Sequence, residues 1–73
     1  MKTYVTFGQS HAHRVNNVTL DKDCVAVIEA DDKISGRAKA NEFFGDVFCT
    51  TYTEDDFDMD NMKYFPRGFI KVN

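Results

Sequence analysis

The segment "CVAVIEA", residues 24–30, is apolar almost throughout, and it constrains the fold more than any other stretch of the chain. A half-buried strand alternates apolar and polar positions. A run without that alternation belongs to a central strand buried on both faces. A few residues later the period changes. In "SGRAKANEFFG", residues 35–45, Gly36, Ala40, Phe43 and Phe44 follow helical spacing, continued by Val47. That face is small at its start and aromatic at its end. Such a helix lies close to a sheet at one end and is anchored by its Phe pair at the other. Asp31, Asp32 or Ser35 is placed to cap the start, and Gly45 to close the end.

Other segments fill in the architecture. "KTYVTF", residues 2–7, is β-branched and aromatic up to Gly8 and predicts a strand with Thr3, Val5 and Phe7 on one face. Asn16 and Asn17, between Val15 and Val18, predict a tight hairpin turn, because Asn tolerates positive φ. "VFCTTYT", residues 47–53, predicts a strand with Val47, Cys49 and Thr51 facing one way and Phe48, Thr50 and Tyr52 the other. Thr53 with Asp56 resembles a capping box, and three acids follow Thr53, so a short helix or helical turn is expected over residues 54–63. Pro66 and Gly68 end it, and "FIKV" predicts a last strand at a sheet edge. The 73 residues make a single small α+β domain. The expected form is a three- to four-stranded antiparallel or mixed sheet with one main helix on a face and a short second helix.

The net charge of −3 conceals a segregation of charge. All twelve acids lie in residues 21–60, whereas residues 1–20 hold only Lys2 and Arg14, and residues 61–73 only Lys63, Arg67 and Lys71. Nucleic-acid binders carry a basic stripe, so no direct nucleic-acid binding is expected. An acidic face suits a basic protein partner. No stretch reaches the roughly 20 apolar residues of a membrane span, and the N-terminus lacks a signal peptide's apolar centre. Cys24 and Cys49 are too few for a disulfide framework, and each sits in an apolar run as a small core hydrophobe. A cytoplasmic protein without a membrane partner is expected.

Two stretches carry candidate chemistry. The first is the acid-free loop of Gly8, Gln9, Ser10, His11, His13 and Arg14. Gly8 permits a sharp turn with exposed amides, the polar side chains add hydrogen-bond donors, and Arg14 offers a bidentate grip on an anion. Phe7 or Tyr4 could stack on a base, so a nucleotide-type anionic ligand fits here. The spacing of His11 and His13 can chelate a metal, but zinc needs at least three protein ligands and neither cysteine has a Cys-x-x-Cys or Cys-x-x-His neighbour. No metal and no cofactor are therefore expected. Ser10 beside His11 is sequence adjacency, not a nucleophile motif, so no catalytic residue is assigned.

The second stretch is acidic. Glu54, Asp55, Asp56, Asp58 and Asp60 crowd into seven residues, interleaved with Phe57 and Met59 and followed by Met62, Tyr64 and Phe65. The alternate aspartates open like a calcium loop, but Asn61 stands where the glycine should be and Arg67 where the bidentate Glu should be. Met and aromatic anchors rimmed by charge are the composition that interfaces favour. Glu54, Asp55, Asp56, Phe57, Asp58, Asp60, Met62 and Tyr64 are the expected protein-interaction residues.

Taken together, "YVTFGQ", the helix ending "FFG", the strand "VFCTTYTEDDF" and the tail "YFPRGF" resemble a group of small uncharacterised phage- and prophage-encoded proteins. The shared motifs are short and none is catalytic, so no residue role is carried over. The resemblance implies a small accessory protein of the bacterial host cytosol, in a class rich in proteins that block or sequester host factors. The expected function is a non-enzymatic binding module for a host protein or a small anionic ligand, with homo-oligomerisation a way for so short a chain to gain core. The alternative is a small metal-dependent or histidine-based hydrolase using His11 and His13.

Overall fold

A computed structural model of the chain describes residues 1–8, 12–15, 17–45, 48 and 50–72, with the backbone alone for His13 and Val15. In chain order the elements are β1 (Lys2–Thr6), β2 (His13–Val15), β3 (Val18–Leu20), β4 (Cys24–Glu29), α1 (Lys33–Phe44), β5 (Thr50–Thr53), a 3-10 helix (Met59–Tyr64) and β6 (Gly68–Lys71). Four strands form a mixed sheet in the order β5-β1-β4-β6. β1 runs antiparallel to both β4 and β5, and β6 lies parallel to β4. The fold is α+β.

Because β1 reverses direction between them, β4, β5 and β6 all run the same way, and each successive pair needs a crossover. The connection from β4 to β5 is α1, on one face. The connection from β5 to β6 travels back across the whole sheet on the opposite face, through residues 54–67. Crossing opposite faces in opposite directions gives both connections the same hand, as sheet twist favours. β4 thus becomes the doubly covered strand that its apolar run demands: Cys24, Val25, Ala26 and Ile28 are fully buried.

Two cores follow. On the helix side, Val5, Cys24, Ala26 and Ile28 meet Ala40 and Phe44. The buried helix positions are Gly36, Ala40 and Phe44, spaced by four residues, as the small-to-aromatic pattern predicts. Phe44 packs edge-on against Phe7, with ring centroids 5.3 Å apart. Asp32 provides the N-cap: its carboxylate accepts the Ser35 N–H at 2.8 Å, and Ser35 Oγ accepts the Asp32 N–H at 3.1 Å. Gly45, at φ 60°, closes the helix by donating its N–H to Asn41 O. On the other side, Tyr4, Val25, Val27 and Phe57 form a second core, joined by Tyr52, Met62 and Phe65.

The hairpin between β1 and β4 is separate from the main sheet. Val15 pairs with Val18 across the two-residue turn, and Asn17 adopts φ 68°; Asn16 lies outside the described residues. Leu20 of β3 is buried against the helix-side core.

Two expectations are corrected. β5 begins at Thr50 rather than at residue 47, with Val47 and Cys49 outside the described residues. Phe48 therefore leaves the alternation and packs against Phe44 on the helix side. The short helix or helical turn expected over residues 54–63 is present as a turn followed by the 3-10 helix. Thr53 does accept the Asp56 N–H, through Oγ1 at 3.3 Å and its carbonyl at 3.2 Å, but Phe57 is drawn into the core and ends the turn. The helical start moves to Asp58, whose Oδ1 accepts the Asp60 N–H at 3.0 Å.

Candidate binding surfaces

The two stretches singled out in the sequence occupy different parts of the fold. In the first, Gly8 follows β1 and is half-buried, while Arg14 is exposed on β2. Gln9, Ser10 and His11 lie outside the described residues, as does the side chain of His13. Phe7 is 4% exposed and belongs to the helix-side core, so its ring is not available to stack on a base. Tyr4 alternates to the opposite face of β1 and packs against Phe57. Among the described residues no group of three or more His, Cys, Asp or Glu could hold a metal ion.

The second stretch lies on the crossover that covers the sheet face away from α1. Glu54, Asp55, Asp56, Asp58 and Asp60 are all exposed. Met59 and Tyr64 stand among the exposed large apolar residues, at 52% and 64%. Met62 is half-buried against the second core. Phe57 departs from the expectation. It is buried, with its ring 5.1 Å from that of Tyr4 and 5.4 Å from that of Tyr52. It is the peg that fastens the acidic crossover to the sheet, and a partner would not touch it. Two carboxylates are already engaged, since Glu54 accepts the Lys2 backbone N–H and Asp58 caps the 3-10 helix. Asp55, Asp56 and Asp60 carry the open negative charge. Lys63 Nζ sits 5.2 Å from the Tyr64 ring centroid, a cation–π contact that orders the aromatic beside the acids.

The start of β4 and the start of β6 are tied by a different charge group. Asp21 Oδ1 lies 3.3 Å from Arg67 Nη1, and Arg67 donates its N–H to Asp23 O. The carboxyl of Asp21 is held below its ordinary value, first by the hydrogen bond from the Asp23 N–H and then by Arg67. Beside it, the Cys24 thiol is pushed up by burial, which makes it a core group rather than a nucleophile.

One concave feature escaped the sequence. On the face away from α1, beyond the cover given by Phe57, a pocket of about 300 Å³ is lined by Lys2, Tyr4, Val27, Glu29, Phe69 and Lys71. These residues come from three strands scattered along the chain. The only local signal is the shared form of "KTY", "VIE" and "FIK", in which a charged and an apolar residue sit two apart and so share a face.

Among the described residues no helix is long and apolar enough to cross a membrane. Comparison with protein-family models, with curated proteins and with solved structures gives no match.

Proposed function

We propose that the chain is a non-enzymatic binding module whose crossover, residues 54–64, docks on a basic protein surface. One observation carries this reading: five exposed carboxylates share a short segment with exposed Met59 and Tyr64, and the buried ring of Phe57 holds that segment against the sheet. A fixed acidic surface with apolar anchors steers a basic partner and then grips it. The resemblance to phage and prophage proteins supplies the context, in which the partner is a host factor of the bacterial cytosol that the module blocks or sequesters.

The test compares the wild-type chain with the triple variant Asp55→Lys, Asp56→Lys, Asp60→Lys as baits in a bacterial lysate. None of these three side chains caps an element, so the variant keeps its thermal unfolding transition. The expected result is capture of a basic protein by the wild type, weakened by salt and abolished in the variant. Equal capture by both baits, or none by the wild type, overturns the reading.

A further inference from the structure

The pocket away from α1 has a chemistry of its own. Strand register places its residues in rows: Lys2 opposite Glu29, Tyr4 opposite Val27, and Val27 opposite Lys71. Phe69 stands beside Tyr4, with centroids 5.1 Å apart and planes tilted by 31°. Tyr4 and Val27 are buried and form the floor, while Phe69 is 44% exposed and offers an open ring face. Lys2 and Lys71 are both exposed and bring two ammonium groups to the rim of an otherwise acidic protein.

An aromatic floor with a free ring face selects a flat, unsaturated ring. Two lysines at the rim select an anionic substituent on that ring. The volume is at the small end for ligand pockets, enough for one ring system and a short charged arm. We propose that this pocket binds a planar heteroaromatic ligand bearing an anionic group, the chemistry presented by a nucleoside monophosphate. A continuous polynucleotide is disfavoured: Glu54, against the Lys2 amide, and the acids after it would meet the next phosphates. This site is distinct from the loop at residues 8–14 and from the acidic crossover.

The experiment is a ¹⁵N chemical-shift titration of the whole chain with AMP, GMP, CMP and UMP in turn. Adenosine, inorganic phosphate and a short oligothymidylate serve as comparison probes. At least one monophosphate is expected to give saturable shifts centred on Lys2, Val27, Phe69 and Lys71, with tighter binding than adenosine or phosphate alone. Phe69→Ala should weaken that binding about tenfold through lost stacking. Because Phe69 also touches Phe57, Lys71→Glu provides a second variant at an exposed position and should weaken binding about tenfold or more. The proposal is overturned if no monophosphate gives saturable shifts, or if the shifts centre on residues 8–14. It is equally overturned if phosphate alone binds as well, if the oligothymidylate binds tighter than every monophosphate, or if Lys71→Glu leaves the affinity unchanged.

Discussion

Gly36 of α1 lies directly over Thr3 of β1: a Cβ at position 36 would sit 3.0 Å from the Thr3 Cβ and overlap its Oγ1. The helix can approach the sheet this closely only because position 36 has no side chain. The approach also has a cost, since Thr3 Oγ1 is buried and has no hydrogen-bond partner among the described residues. In an open helix Gly→Ala would gain about 1 kcal/mol. Here Gly36→Ala should instead destabilise the domain by about 1–3 kcal/mol through overpacking. Removing the obstructing hydroxyl with Thr3→Ala should recover part of the loss, giving a coupling of about 1 kcal/mol in a double-mutant cycle. Urea unfolding of the four proteins measures it, and a more stable Gly36→Ala would show that the contact is not tight.

Phe57 anchors the acidic crossover, and truncating it tests that role. Its ring contacts Tyr4, Tyr52 and Phe69. Phe57→Ala should cost about 3–5 kcal/mol, a large share of the stability of a domain this small. Phe57→Leu should retain most of the burial and cost clearly less. Both variants are compared by chemical denaturation. If Phe57→Ala unfolds at the wild-type midpoint, the second core does not depend on that ring.

The helix-side layer was legible because its signals are local. The uninterrupted apolar run of β4, the spacing of Gly36, Ala40 and Phe44, and the Asn turn before Val18 each lie within a dozen residues. The opposite layer was legible only in part, because tertiary contacts decide its detail. The short helix or helical turn of residues 54–63 was readable from its capping chemistry. Its division into a turn and a 3-10 helix was not, because Phe57 is held by aromatic partners from three strands. The same cause hid the status of Phe57, which reads as an exposed anchor among acids and is a core residue. The acidic surface itself was readable from composition. The pocket of Lys2, Tyr4, Phe69 and Lys71 was not, since it exists only once β6 pairs parallel with β4 and brings both ends of the chain together.

Acid should loosen the fold through two aspartates. Asp21 and Asp32 are both held below the ordinary value of 3.8, the first mainly by the Asp23 N–H and the second mainly by the Ser35 N–H. A carboxyl whose folded value is depressed contributes stability that is present above its unfolded value and lost as pH falls through the folded one. The stabilisation is therefore complete near neutrality and declines below about pH 4. Asp21→Asn and Asp32→Asn should each lower the urea midpoint at neutral pH and flatten its fall toward about pH 2. Wild-type steepness in both variants would place the acid sensitivity in other groups.

The turn at Asn17 allows the last prediction. Its φ of 68° lies in the left-handed region, where Gly is at ease, Asn is tolerated and β-branched residues are strained. Asn17→Gly should leave stability within a few tenths of a kcal/mol, whereas Asn17→Val should cost about 1–2 kcal/mol. The loss should register in the global unfolding transition rather than as local fraying, because Leu20 is 1% exposed and Val18 packs against the helix-side core. Amide exchange in β4 would then accelerate together with exchange in β3. Were β3 to exchange faster in Asn17→Val while β4 kept its protection, the hairpin would be an independent unit and not part of the helix-side core.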